Sequence, residues 1–182
     1  MRIKGFYVSG IALLSFACAP NSPSVDAQRA RLEDGAKVEL RDAHGKTVGK
    51  LTVAPHSNGG VRFTGRLTDL PPGVHGLHIH EVGKCDPPDF KSAGAHFNPS
   101  GKQHGEFNPQ GQHAGDMGNV RVDPSGSAEI SLMNERVTLE AQPNSLLKPG
   151  GTSLVLHANA DDQMTDPSGN SGDRIACGII VK

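Results

Sequence analysis

Residues 77–80 read Leu77-His78-Ile79-His80. On an extended strand successive side chains point to opposite faces. Two imidazoles therefore project from one side and two branched aliphatics from the other. The aliphatic face can fill a core while the paired imidazoles reach one metal ion.

Similar alternation recurs on either side of this stretch. Val38 and Leu40 alternate with Lys37, Glu39 and Arg41, and Val61, Phe63 and Leu67 lie in phase with Gly65 between them. Further stretches run over 48–53, 120–122, 128–132, 154–157 and 175–181. Turn-forming clusters separate them: Asp42-Ala43-His44-Gly45, Ser57-Asn58-Gly59-Gly60, Asp123-Pro124-Ser125-Gly126 and Lys148-Pro149-Gly150-Gly151. With 23 glycines, 13 prolines and only 4% aromatic residues, the chain favours turn-rich β structure over a helical bundle. The expected fold is all-β, about eight strands in a Greek-key β-sandwich or barrel. Residues 81–119 and 158–174 break the rhythm, and long irregular loops inside a compact domain are usually functional.

Six of the nine histidines gather around those two loops. After His78 and His80 come His96, His104, His113 and Asp116 from one glycine-rich loop. His157 then closes the apolar run Leu154-Val155-Leu156, where a polar side chain needs a reason to sit. Imidazole suits copper and zinc, and a mixed His/Asp set suits zinc better. Seven ligands fall one short of two four-coordinate sites, and the arithmetic closes if one histidine bridges both. Of the other histidines, His44 and His56 lie in turn-rich segments and are expected at the surface. His75 is expected to be buried and hydrogen-bonded beneath the site. Asn98, Pro99, Asn108 and Pro109 read as turn formers.

The N-terminus has a different character. Arg2 and Lys4 precede an apolar run from Phe6 to Ala17, the pattern of an export signal and too short for a membrane span. Leu14-Ser15-Phe16-Ala17-Cys18 resembles a bacterial lipobox with the leucine one position early, which makes Cys18 a lipidation candidate. Cleavage after the small-x-small pattern Ala17-Cys18-Ala19 is the alternative, and Cys18 is then discarded. Residues 1–18 read as signal and lipobox, 19–31 as a polar tether, and 32–182 as one domain. The expected location is the periplasm or cell envelope, with a lipid anchor in a membrane. The formal charge of −1 offers no basic excess to hold nucleic acid.

Four segments, in order, carry a family resemblance. Gly73-Val74-His75-Gly76-Leu77-His78-Ile79-His80-Glu81 resembles the copper-binding signature of copper/zinc superoxide dismutases. Ala93-Gly94-Ala95-His96-Phe97-Asn98-Pro99 resembles the segment with the bridging histidine. His113-Ala114-Gly115-Asp116-Met117-Gly118-Asn119 resembles the end of the zinc loop, and Gly169–Gly178 resembles the second family signature. The resemblance implies copper on His78, His80, His96 and His157, and zinc on His96, His104, His113 and Asp116. It implies that Asp161 links the two sites by accepting from ligand imidazoles, that Arg174 is the cation beside copper, and that Cys85 and Cys177 form a disulfide. Such a bridge, closing a long loop, contributes about 4–5 kcal/mol in the chain-entropy model.

The implied activity is disproportionation of superoxide to dioxygen and hydrogen peroxide, with Arg174 orienting the anion and His96 passing a proton. Electrostatically steered, near-diffusional turnover is implied with it, and a homodimer is allowed. A dismutase-like copper-binding or copper-delivery module, without catalysis, is the alternative reading, and a purely structural secreted sandwich a weaker one. Two departures stand out. The electrostatic loop, residues 158–173, carries Asp161, Asp162, Asp166 and Asp173 but no lysine, so steering is expected to rest on Arg174 and the metals. Ser168 stands where a threonine often narrows the channel.

Overall fold

A computed structural model of the chain describes residues 35–182. The signal, the lipidation candidate Cys18, the tether and the expected domain start at residue 32 lie outside the described residues. Eight strands follow in order: β1 (Ala36–Asp42), β2 (Thr47–Pro55), β3 (Val61–Leu67), β4 (Gly73–His80), β5 (Asp116–Val122), β6 (Ala128–Asn134), β7 (Ser153–His157) and β8 (Arg174–Val181). They form one antiparallel sheet in the order β5-β4-β7-β8-β1-β2-β3-β6. The non-consecutive neighbours β4–β7, β8–β1 and β3–β6 are the Greek-key crossovers. The edge strands β5 and β6 lie against each other without a ladder, so the sheet curls into a nearly closed barrel.

The alternation read from sequence fills the barrel. Ala36, Val38 and Leu40 of β1, Val61, Phe63 and Leu67 of β3, Leu77 and Ile79 of β4, and Leu154 and Leu156 of β7 are all buried in one core. In β2, Val48 and Leu51 both face inward although three residues apart. The β1–β2 register explains this: Leu40 pairs with Gly49 and Arg41 with Thr47, leaving Val48 as an extra, bulged residue. A smaller cluster of Phe90, Ala93, Val155 and Cys177 lies outside the barrel, under the segment that carries Cys85.

The expected segments needed adjustment at their ends. β4 begins at Gly73, and β5 at Asp116 rather than near Val120, because the β4–β5 ladder continues past a register shift to pair His78 with Asp116. The two irregular loops are correspondingly 81–115 and 158–173. His44 is exposed as expected; His56 is half-buried, its Nδ1 accepting from the Asn58 N–H at 3.4 Å.

Candidate metal centre

Strand β4 is buried on both faces. Leu77 and Ile79 face the core, while His78 and His80 point out of the barrel under the two loops. The first loop returns to β4 by a short ladder: Glu81 N donates to Ala95 O at 2.9 Å and Phe97 N to Ile79 O at 2.8 Å. This pairs His80 with His96 and brings the His96 ring against that of His78, centroids 4.0 Å apart. β7 pairs directly with β4 and delivers His157. His78, His80, His96 and His157 thus form a buried group whose ligand atoms lie within 4.8 Å of one another.

Hydrogen bonds fix which nitrogen each ring turns inward. His80 Nδ1 donates to Gly94 O at 3.0 Å and His157 Nδ1 to Gly172 O at 3.1 Å. His78 Nε2 donates to Asp161 Oδ2 at 2.7 Å. The nitrogens left facing inward are therefore bare acceptors. His80 Nε2 and His157 Nε2 confront each other at 3.4 Å with no proton between them. His78 Nδ1 and His96 Nε2 are buried without any partner. Four lone pairs converging on one point repel unless a cation sits among them, and imidazole nitrogen is a copper ligand. The residues fit copper.

The second group is His96, His104, His113 and Asp116. Asp116 Oδ1 lies 2.9, 3.1 and 3.2 Å from the Nδ1 atoms of His96, His104 and His113. A tetrahedral zinc with arms of about 2.0–2.1 Å has edges of about 3.3 Å, so these four atoms are near the corners that zinc needs. The other carboxylate oxygen, Asp116 Oδ2, accepts from Gly105 N and His113 N, both at 3.0 Å, tying the loop backbone to the ligand. Among the described residues, only His96 has a nitrogen in each group.

Asp161 joins the two groups from behind. Its Oδ2 accepts from His78 as above, and its Oδ1 from His104 Nε2 at 2.9 Å. Such partners orient metal-binding rings. Asp161 is itself fixed by Asn119, which accepts from Asp161 N and donates to Asp161 O, both at 2.8 Å. The packing tolerates no side chain at Gly169, where φ is +63° and a Cβ would fall 1.8 Å from Asp161 Oδ1.

Electrostatics follow from this burial. Desolvation, reinforced by neighbouring rings, pushes His80 down to about 2 and His157 to about 3 in the metal-free protein. Burial likewise outweighs the Asp116 hydrogen bond and lowers His96 to about 4. For His104, burial is opposed and overcome by hydrogen bonds to Asp116 and Asp161, which raise it to about 9. For Asp116 and Asp161, burial works against ionisation, but hydrogen bonds, from His104 first, hold both carboxyls well below their usual range. The copper-side rings are neutral and ready to ligate; His104 must release a proton first.

Arg174 opens β8 at the edge of this centre. Its Nη1 donates to Phe90 O and its Nη2 to Gly94 O, each at 2.7 Å. Gly94 O therefore accepts from both Arg174 and His80, joining the guanidinium to a copper-side ring through one carbonyl. The Cys85–Cys177 disulfide pins the same segment to β8 with a Cα–Cα distance of 5.6 Å. His75 is buried beneath the centre, its Nδ1 2.9 Å from His157 O and its Nε2 2.9 Å from Pro71 O.

The loop aspartates have partners here, and one sequence expectation changes. The acidic loop residues are largely used internally. Asp161 links the rings, Asp162 accepts from Met164 N, Thr165 N and Asn170 Nδ2, and Asp166 accepts from His104 N. Nor is Arg174 the only cationic side chain at the mouth. An open depression of about 520 Å³ is lined by Pro88, Asp89, Lys91, Gly172, Asp173 and Arg174. Lys91, paired with Asp89 at 2.8 Å, enters from the disulfide segment. Sequence reading looked for lysine only in the electrostatic loop and missed it.

Comparison with known proteins agrees with this geometry. The family model for copper/zinc superoxide dismutase matches residues 47–180. Superoxide dismutase [Cu-Zn] 1 of Aquifex aeolicus is 49% identical over 144 residues, spanning 78% of this chain and 85% of that protein. Among solved structures, a double mutant of a SOD-like protein from Bacillus subtilis aligns with a TM-score of 0.78 at 39% identity, covering 80% of this chain and 97% of that one. The Cu/Zn superoxide dismutase from Brucella abortus aligns at 0.63 and 26% identity, over 79% and 98%. Matched over most of its length and at nearly half identity, this chain belongs to the copper/zinc superoxide dismutase family.

Proposed function

We infer that this chain disproportionates superoxide to dioxygen and hydrogen peroxide, using copper and zinc. The observation that carries the reading is His96, a buried ring with Nδ1 in the His104–His113–Asp116 group and an unpartnered Nε2 in the His78–His80–His157 group. Copper is assigned to His78 Nδ1, His80 Nε2, His96 Nε2 and His157 Nε2. Zinc is assigned to the Nδ1 atoms of His96, His104 and His113 with Asp116 Oδ1, a filled set of four as in structural zinc sites.

Bound there, copper would supply the one-electron chemistry by which two superoxide ions and two protons give dioxygen and hydrogen peroxide. The protein supplies ligation, access and charge placement. His80, His157 and His78 are held in single orientations by Gly94 O, Gly172 O and Asp161, so their inward nitrogens need no rearrangement. His96 Nδ1 is anchored at Asp116, and its Nε2 has no hydrogen-bond partner of its own, so whenever it is not ligating it would be free to take up a proton and give it to the peroxide. Arg174, held by two carbonyls at the mouth, draws in and orients the anion. The copper-delivery alternative is not favoured, since the four copper-side histidines and Arg174 are all present and assembled.

Elemental analysis of the holoprotein and two variants tests the assignment. One copper and one zinc per chain are expected. His157→Ala should lose copper and activity but keep zinc; His113→Ala should release zinc yet keep some copper-dependent turnover. A single metal per chain, or two variants that lose both metals equally, contradicts it.

Export and anchoring through Cys18 belong to the same proposal. The support is the n-region and apolar run of residues 1–18, together with the Cys85–Cys177 disulfide, a bond that persists in oxidising compartments. The mature protein should partition with membranes and Cys18→Ser should release it or block processing. Stable anchoring needs more than one acyl chain. An intact mass showing an unmodified N-terminus after residue 18 refutes the anchor, and sedimentation decides the homodimer that the family resemblance allows.

A further inference from the structure

Among the described strands, the seam without a ladder lies between β5 and β6 and runs up to the zinc-side ligands, where side chains close it. His113 and Asp116 sit at the ends of the tight stretch His113-Ala114-Gly115-Asp116. Every carbonyl of that stretch has a donor. Ile79 N donates to Gly115 O at 2.8 Å, a contact from the barrel itself. The other three accept from the end of β6 and the residues after it, and His113 O accepts also from Asp116 N at 3.3 Å. Asn134 Nδ2 donates to Ala114 O at 2.8 Å, with Met117 Sδ at 3.2 Å. Arg136 donates from Nε to His113 O at 3.2 Å and from Nη2 to Asp116 O at 2.5 Å. Asn134 is 1% exposed. Its Oδ1 in turn accepts from Arg136 N at 2.9 Å, and Arg136 O accepts from Asn144 Nδ2 at 2.9 Å.

A guanidinium is a rigid planar fork. Placed across the carbonyls of residues 113 and 116, it adds a rigid brace to a turn closed by Asp116 N and His113 O, from which two zinc-side ligands hang. The apolar core nearby is carried by other residues, Val137 and Leu146 among them. We propose that Arg136, supported by Asn134, is the positioning residue of the His113–Asp116 ligand pair, and that it holds the zinc-side geometry from the opposite edge of the barrel. The proposal rests on the zinc assignment given above. Charge alone is not its basis: a positive guanidinium opposes an arriving zinc ion, and what favours binding is the fork.

The test is zinc release from the holoprotein into a chromogenic chelator, for Arg136→Lys, Arg136→Gln and His113→Ala beside the parent. Groups that orient metal ligands contribute about 10- to 100-fold to affinity. Since Arg136 acts through the backbone, each Arg136 variant should weaken zinc about tenfold and speed its release, with copper content and the copper absorption band unchanged. Cobalt placed in the zinc site should show a shifted and weaker visible band in both. The lysine variant separates fork from charge. If Arg136→Lys holds zinc like the parent, or Arg136→Gln holds it more tightly, the proposal is overturned. It is also overturned if the metal-free and zinc-loaded forms lose the same number of degrees in melting temperature with affinity kept, which is what a general brace does. If His113→Ala binds zinc like the parent, the ligand assignment has failed and this proposal fails with it. If His113→Ala loses zinc while the Arg136 variants keep it, only the positioning role is wrong.

Discussion

Replacing Arg174 by alanine separates approach from electron transfer. The substrate is a small anion and the chain carries a formal charge of −1, so approach depends on a local positive field. An anion about 5 Å from a guanidinium gains about 0.8 kcal/mol in bulk water and about 3 kcal/mol at an effective dielectric of 20. Those values bracket a rate effect of about fourfold to a few hundredfold. Arg174 is half-buried at an open mouth shared with Asp89 and Asp173, which places the effect nearer the lower bound, about tenfold at low salt. Arg174 also donates to Phe90 O and Gly94 O, so alanine removes a brace as well as a charge. Lysine keeps the charge and loses the fork, and so isolates the field. The assay is the second-order rate of superoxide decay from about 10 mM to 1 M salt, over which the Debye length falls from about 30 to 3 Å. Copper and zinc are measured in the same samples. Arg174→Ala should keep both metals, lose about tenfold at low salt and show a flatter salt dependence; Arg174→Lys should retain most of the parent's slope through its own charge, with Lys91 unchanged. A salt slope for Arg174→Ala equal to the parent's, or loss of copper, refutes the steering role.

Reducing the Cys85–Cys177 bond, which spans 92 residues, should remove about 4–5 kcal/mol and lower the melting temperature by about 10–20 °C. A shift of only a few degrees contradicts that. Gly169→Ala places a methyl between Asp161 Oδ1 and His104 Nε2, so both metals should bind about tenfold more weakly or worse in chelator competition; unchanged affinities mean that Asp161 does not link the sites. In the metal-free protein His104 is raised to about 9 by Asp116 and Asp161 against burial. Its charged form therefore stabilises the metal-free fold at pH below about 6.5, and that contribution is lost as pH rises through 9. Zinc must displace this proton, so zinc affinity should rise about tenfold per pH unit between about 7 and 9, as one proton requires. Titration calorimetry showing pH-independent affinity over that window contradicts it.

Much of this was legible in the sequence because period-2 alternation is a direct imprint of a two-faced sheet. Leu77-His78-Ile79-His80 already separated core from site, and the structure places the four aliphatic–imidazole positions on those faces. The candidate ligands were legible because six histidines and an aspartate gather around two loops, with His78 and His80 on one face of a strand. What sequence could not show was contact across the fold. Val48 breaks the expected phase because a bulge is a property of the β1–β2 pairing, not of β2 alone. Asp116 opens a strand rather than ending a loop because β4 offers it a partner. Lys91 and Arg136 carry no motif, and Asn119 closes the zinc-loop segment without showing what it touches. Each matters only through a partner far along the chain: Arg174 at the mouth for Lys91, Asp161 for Asn119, and the His113–Asp116 stretch for Arg136. Sequence showed the loop aspartates only as charges, whereas Asp162 and Asp166 also accept from backbone N–H groups.

The most direct measurement is the decay of superoxide, followed by stopped-flow or pulse radiolysis, with protein carrying copper and zinc, zinc alone, or neither. The account predicts rapid second-order decay that scales with bound copper, no catalysis from the zinc-only or metal-free forms, and none from His157→Ala despite retained zinc. Protein holding a full copper per chain that leaves the spontaneous decay rate unchanged would contradict it.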